Sequence, residues 1–437
     1  MQNNISLVSA RWIAPVEPAN TLYENHIMVI EGGIIKAIMP TDIARRTYAK
    51  APETKLENHI LIPGLINLHT HAAMTLLRGL ADDKPLMTWL NDHIWPAETK
   101  LLSKEFVLDG TELACAESLR AGVTCFADMY FYHDTAAAAV RKAGMRAALG
   151  GAILEFPTPY ASDAEAYIHR AVAARQDFDF DPTLKLLLSP HAPYTVSDAT
   201  FERVAAIAAE MDVQMMVHIH ETASEITDSL KQYKERPIAR LDRLGVIGPN
   251  LIAVHCVHLN QAEIELFAAK GVHVAHCPVS NLKLGSGIAP IQAMLKANVN
   301  VGIGTDGTAS NNRLDMLAEA RLAGLLQKGV TGDAAALPAF KLLEMSTLAP
   351  AKALGWDAEI GSLLPGKACD MVALNLDTIE TQPVFDPLSH LFYAAGREHV
   401  SHVWVDGKVV LENGKLTRLD EAELIIKAKS WASRVAN

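Results

Sequence analysis

Between residues 58 and about 310 the sequence alternates short apolar, β-branched runs with stretches of helical periodicity. The strand candidates are HILIPGLINLHTH, GVTCFADM, MRAALGGAIL, LKLLLSPHA, VQMMVHIHE, LIAVHCVHL, GVHVAHCPVSN and NVNVGIGTDG. Segments such as DATFERVAAIAAEM and NQAEIELFAAKG lie between them, apolar at helical spacing with Asp or Gly near their ends. Nearly continuous apolar strands are what a parallel sheet covered on both faces requires. Eight such units predict an α/β chain built on a (β/α)8 barrel rather than an open doubly wound sheet. Polar residues cluster at the C-terminal ends of the strands, the face where barrels of this kind carry out their chemistry.

The flanks have another texture. ISLVSARWIAP and HIMVIEGGIIKAIMP, before residue 62, are strand-like pieces broken by an EGG turn. GSLLPGKACDMVALN and HVSHVWVDGKVVLENGKL, after residue 361, repeat the pattern with VDGK and ENGK as hairpin signals. The expected organisation is a composite β-sandwich domain from residues 1–62 and 361–437, with the barrel over 63–360.

Composition excludes several classes. A chain of 437 residues with formal net charge −11 and no basic run offers nothing to a nucleic acid. No window approaches the ~18 apolar residues of a membrane span. The opening MQNNISLVSARWIAP lacks the charged and apolar regions of a signal peptide. Five cysteines without a CxxC pair read as reduced, buried thiols, so a cytoplasmic protein is expected, and a homo-oligomer with it.

His69 and His71 stand at i and i+2, so on a strand both point to one face, here the barrel interior. Taken alone they are as readily polar filler as ligands. The other strand ends decide between the two. VHIHE supplies His218, His220 and Glu221 after the fifth strand, VHC supplies His255 after the sixth, and GTDG supplies Asp306 after the eighth. Imidazole nitrogen and carboxylate oxygen at one rim suit Zn²⁺ or Fe²⁺.

HTH after strand one, HxxE after strand five, HC after strand six and TDG after strand eight resemble the amidohydrolase superfamily over nearly the whole chain. The resemblance implies metal ligation by His69, His71, His218 and Asp306. Binuclear members carry a bridging Lys at the end of strand four. Here that end carries His191, and Lys185 lies near the strand's start, so one divalent ion is expected. His218 and His220 share a strand face, and the family's H-x-x-E spacing selects His218. The resemblance further implies three catalytic residues: Asp306 as proton acceptor for a metal-bound water, His255 as orienting group, and Glu221 as proton donor to a ring nitrogen. Hydrolytic deamination of an amino-heterocycle follows.

The segment LRGLADDKPLMTWLNDHIWPAETKLLS is similar to the corresponding part of deaminases acting on S-adenosylhomocysteine and 5′-methylthioadenosine. On that likeness Glu98 would bind ribose hydroxyls, His191 would add a nucleoside contact, and Arg146 would meet a substrate carboxylate. Members that favour S-adenosylhomocysteine often carry a second Arg shortly after strand three, and none occurs here between Ala147 and His169. Met87, Trp89 and Trp95 either pack on an apolar 5′ group or belong to a lid or core helix. Guanine or an aminotriazine is the alternative substrate class.

GIGTDG fits the dinucleotide-binding pattern G-x-G-x-x-G, but Asp306 would stand where a pyrophosphate must approach, and no acid-tipped strand follows. The zinc signature H-x-E with P-C-x-x-C and the G-x-S-x-G elbow are both absent. LDMLAEARLAGLL reads as a helix with a core face.

Overall fold

The computed structural model describes residues 5–436; the Met1–Asn4 end of the opening stretch lies outside them. Eight barrel strands follow one another in spatial order as in sequence: Leu65–Thr70, Val123–Tyr130, Arg146–Ile153, Leu184–Pro190, Gln214–Ile219, Leu251–His255, His273–His276 and Asn300–Ile303. Their pairings are parallel from the third strand to the eighth. The first three strands are buried at every position, which is why they read as unbroken apolar runs.

The first and last strands meet just beyond their ends, so the barrel is nearly closed. Asp306 N donates to His69 O at 2.9 Å, and Thr305 N donates to Asn67 Oδ1 at 2.9 Å. Gly304 makes this approach possible, since a Cβ there would lie 2.8 Å from His69 N. A Cβ on Gly307 would lie 3.1 Å from His71 Cβ. Two glycines of GIGTDG thus serve the passage of the eighth strand end past the histidines, not a phosphate.

Helices between the strands start where the sequence places caps. Ser197 caps Asp198–Met211 through Thr200 N, and Asn260 with Glu263 forms a capping box on Gln261–Lys270, which ends at Gly271. Met316–Thr331 turns Met316, Leu317, Ala320 and Ala323 inward, the expected core face.

The two ends of the chain do pair. One mixed sheet of eight strands runs in the order Lys415–Leu416, Lys408–Glu412, Val400–Val405, Met371–Asn375, Glu53–Pro63, Ile5–Ile13, Tyr23–Glu31 and Ile34–Pro40. Its N- and C-terminal halves join where Glu53–Pro63 lies antiparallel to Met371–Asn375. One apolar cluster takes Val8, Met28, Ile30 and Leu56 from the first half and Met371 and Trp404 from the second. A second cluster packs Leu7, Ile27 and Val29 with Ala44 of the helix Thr41–Thr47. The VDGK turn has Asp406 and Gly407 at φ 51° and 70°, the pair of left-handed residues that a two-residue hairpin needs.

Packing divides the chain into two compact units. One runs to Ile66 and adds Ala116–Cys125 and Asp315–Leu419; the other comprises Asn67–Cys115, Phe126–Leu314 and the stretch from Asp420 onward. All five cysteines are buried and unbridged. Among the described residues no helix is long and apolar enough to cross a membrane.

Candidate active site

The first strand ends at Thr70, which leaves His69 fully buried and His71 just beyond the strand, partly open. Each imidazole that converges on the site has its far nitrogen engaged. His71 Nδ1 donates to Met129 O at 2.6 Å and His218 Nδ1 to His191 O at 2.9 Å, while His69 Nδ1 lies 3.1 Å from Met216 Sδ. Such partners fix the tautomer and turn the Nε2 lone pairs inward. His69 Nε2 then lies 3.2 Å from His218 Nε2, and Asp306 Oδ1 lies 3.3 Å from His69 Nε2 and 3.2 Å from His71 Nε2.

Two inward lone pairs at that separation repel unless a proton or a cation stands between them. The donor set, three imidazole nitrogens and one carboxylate oxygen, fits a divalent transition-metal ion. Among the described residues, metal-capable groups form around His69 in two ways: with His218 and His255, and with His71 and Asp306. The electrostatics of His69, His218 and Asp306 agree, whereas at His71 an ion would have to displace a proton. Burial and the neighbouring histidines hold His218 well below its ordinary value, and burial brings His69 down to about 4. Burial opposes charge on Asp306 too, yet hydrogen bonds from His69 and His71 hold it well below the usual carboxylate range. Burial likewise works against His71, but Asp306 beside it lifts that imidazole to about 9.

Asp306 is aimed by residues the sequence did not single out. Its Oδ2 accepts from Ser280 Oγ at 2.6 Å and Ser310 Oγ at 2.8 Å, and its Oδ1 accepts from Gly307 N at 2.8 Å. Asp306 itself sits at φ 62°, a strained value for a non-glycine residue that recurs at His255, with 72°. His255 Nδ1 donates to Asn281 Oδ1 at 2.9 Å, and its Nε2 lies 3.7 Å from Glu221 Oε2. Ser280 and Asn281 belong to the PVSN stretch after strand seven and Ser310 to GTASN. Polar residues directly after a strand end were the available signal.

Strand alternation left His218 and His220 equivalent, and the backbone separates them. The fifth strand ends at Ile219, and His220 takes φ 54°, which turns its ring away. That ring is buried with neither nitrogen hydrogen-bonded among the described residues, 3.7 Å from Glu263 Oε2. The same turn presents Glu221, buried beside His255; burial raises its carboxyl above the ordinary value.

A cavity of about 270 Å³ opens from this cluster, lined by His71, Trp89, Trp95, Glu98, Phe156 and His191 among others. The helix Trp95–Leu101 carries Glu98, which accepts from Tyr130 Oη at 2.6 Å; burial raises its carboxyl to about 6. His191 meets His218 edge to face, with ring centroids 4.9 Å apart, and pairs with Thr195 Oγ1 at 2.9 Å. Trp95 and Phe156 also border a second cavity of about 440 Å³ that includes Met87. Neither wall contains a Lys or Arg among the described residues.

Arg146 does not join the site. It opens the third strand, at the end of the barrel opposite to the strand ends that carry the histidines, and is 4% exposed. Its guanidinium donates to Pro182 O at 3.1 Å. The expectation of a carboxylate contact fails because a residue at the start of a barrel strand belongs to the far rim. Lys185 lies at that rim as well, second in its strand.

The family model for amidohydrolases matches residues 60–410. A protein of Teredinibacter turnerae named 5-methylthioadenosine/S-adenosylhomocysteine deaminase is 45% identical over 98% of this chain and 97% of its own length. A 5′-deoxyadenosine deaminase of Methanothermobacter thermautotrophicus is 41% identical over 86% of this chain and 87% of its own. Among solved structures, an adenosine deaminase from Xanthomonas campestris with bound zinc superposes with a TM-score of 0.96 at 47% identity, covering 98% of both chains.

Proposed function

Because the chain belongs to the amidohydrolase family, we propose that it is a metal-dependent deaminase of adenosine-type nucleosides of the methylthioadenosine and S-adenosylhomocysteine class. The convergence of His69, His71, His218 and Asp306 beside a cavity that holds Glu98 carries this reading. The named activities of the full-length relatives point the same way.

One divalent ion, zinc by the likeness to the zinc-bound relative, would be held by those four side chains and would supply an acidified water near neutral pH. The protein's own groups do the rest. Asp306, with Oδ2 held by Ser280 and Ser310 and Oδ1 by Gly307 N, is aimed at the site and takes the proton of the attacking water. Glu221, its carboxyl raised by burial, delivers a proton to the purine ring nitrogen as the carbon bearing the amine is attacked. His255 has its Nδ1 proton committed to Asn281, so its Nε2 faces the reacting centre and orients the water. Asp306 passes its proton to the departing amine, the ring-nitrogen proton stays in the product, and the hydroxyl proton of the intermediate returns to Glu221, so that water plus the adenosine analogue balance as the inosine analogue plus NH3.

Glu98, held by Tyr130, faces the cavity as a carboxylate acceptor suited to paired ribose hydroxyls. Beyond it the walls are aromatic and aliphatic and lack a cation among the described residues. That lining favours an apolar 5′ group such as methylthio over a tail that ends in a carboxylate.

The test is ammonia release by the purified protein on 5′-methylthioadenosine, 5′-deoxyadenosine, S-adenosylhomocysteine, adenosine, guanine and an aminotriazine, with metal analysis of the same sample. Methylthioadenosine should lead and one metal ion per chain should be found. No turnover of any adenosine would overturn the reading.

A further inference from the structure

The T-x-x-E stretch Thr222–Glu225 has the form of a capping box, in which the glutamate would reach back to the N–H of the cap residue itself. The structure does something else. Thr222 caps the helix Ala223–Tyr233, but the Glu225 carboxylate passes Thr222 by. Its Oε1 accepts from His220 N at 3.0 Å and its Oε2 from Glu221 N at 2.9 Å. Both oxygens are therefore spent on two consecutive backbone donors, and Glu225 is 8% exposed.

Those donors flank the one left-handed residue in the turn. His220 sits at φ 54°, and its carbonyl accepts from Val257 N at 3.0 Å and His258 N at 3.1 Å. The peptide groups on either side of the Glu221 approach are thus fixed from both directions, by Glu225 on the N–H side and by the sixth strand's exit on the carbonyl side. Among the described residues the Glu221 side chain makes no hydrogen bond that would fix it; its Oε2 lies 3.7 Å from His255 Nε2. The aim of its carboxyl into the site depends on this backbone.

We propose that Glu225 is a positioning residue for Glu221, acting through the paired N–H groups of His220 and Glu221 and touching neither metal ligand nor substrate. The inference rests on the reading of Glu221 as the proton donor. A carboxylate is the one side chain of this length with two acceptors. A glutamine offers one, and its amide would confront the second N–H with another donor.

The test is a double-mutant cycle with Glu225→Gln, Glu225→Ala, Glu221→Gln and the pair E221Q/E225Q, reading kcat, KM and metal content. Misplacing a reacting group by about 1 Å costs on the order of 100-fold. Glu225→Gln should therefore lower kcat by roughly 30- to 100-fold, with KM within about threefold and metal retained. In the Glu221→Gln background the same change should cost nothing further, because the group being aimed is already gone. Unchanged kcat in both Glu225 variants, multiplying losses in the pair, or joint loss of metal or fold would overturn the proposal. Full activity in Glu221→Gln would instead sink the reading of Glu221 itself.

Discussion

His69 and His218 turn their Nε2 atoms toward each other at 3.2 Å, although they stand on the first and fifth strands of the barrel. Each has its other nitrogen engaged, so neither ring can rotate away without breaking a contact. A cation is the natural resolution. His218→Ala or Asp306→Asn should lose metal and activity together, read by elemental analysis and ammonia release. Chelation of the parent protein should lower its Tm, since an ion at about 100 times its Kd contributes about 2.7 kcal/mol to the folded state.

Ser280 and Ser310 both donate to the far oxygen of Asp306. Outer partners of a ligand typically control about 10- to 100-fold of metal affinity. Ser280→Ala should fall in that range in a competition titration with a chelator, at an unchanged melting profile for the loaded protein. Wild-type affinity in the Ser280→Ala, Ser310→Ala pair would remove the orienting role.

Glu98→Ala should raise KM for nucleosides much more than for the free base. Hydrogen bonds to a charged group contribute about 1.5–3 kcal/mol, or roughly 10- to 150-fold in affinity. Equal effects on adenine and on methylthioadenosine would show that Glu98 does not read the ribose.

Arg146→Met should leave KM for a carboxylated substrate within about twofold and should lower stability by about 3 kcal/mol, because a buried hydrogen-bonded cation is removed together with the partner interactions it satisfies. A large KM change confined to S-adenosylhomocysteine would restore the substrate contact.

His133 is buried beside Tyr160 and Phe178, and burial lowers its pKa from 6.5 to about 4. Between those values the unfolded chain binds a proton that the native state refuses. The stability it confers is complete above about pH 6.5 and is lost as pH falls toward 4. At pH 4.5 the loss is on the order of 2–3 kcal/mol. Urea unfolding should show a shallower acid decline for His133→Gln than for the parent, and parallel declines would exclude His133 as a source.

Much of the architecture was readable before any coordinates, for physical reasons. Strands covered on both faces have nowhere to put polar residues, so the eight runs stand out, and polar side chains mark where each leaves the core. The His-x-His pair was legible because a strand has a period of two. The period failed one residue later: nothing in VHIHE announces that His220 takes a positive φ and turns aside. Arg146 was assigned from the likeness alone, although its place at the start of MRAALGGAIL already set it at the rim opposite the strand ends that carry the histidines. Ser280, Ser310, Asn281 and Glu225 escaped because their partners lie across turns. Glu225 even stands in a T-x-x-E signature, yet the N–H groups that donate to it are those of His220 and Glu221 and not that of Thr222.

The bond from Asp306 N to His69 O joins the last barrel strand to the first. Two of the proposed ligands of one ion are thereby neighbours in space only after every intervening strand has taken its place. A nascent chain cannot assemble the full site until the residues around Asp306 have emerged and docked. Metallation is then a report of completed closure, and an ion arriving early finds at most the His69–His71 pair. Refolding followed by metal uptake and by backbone signals should thus give the metal signal last, which makes the ion a clasp on a finished barrel and not a nucleus for building it.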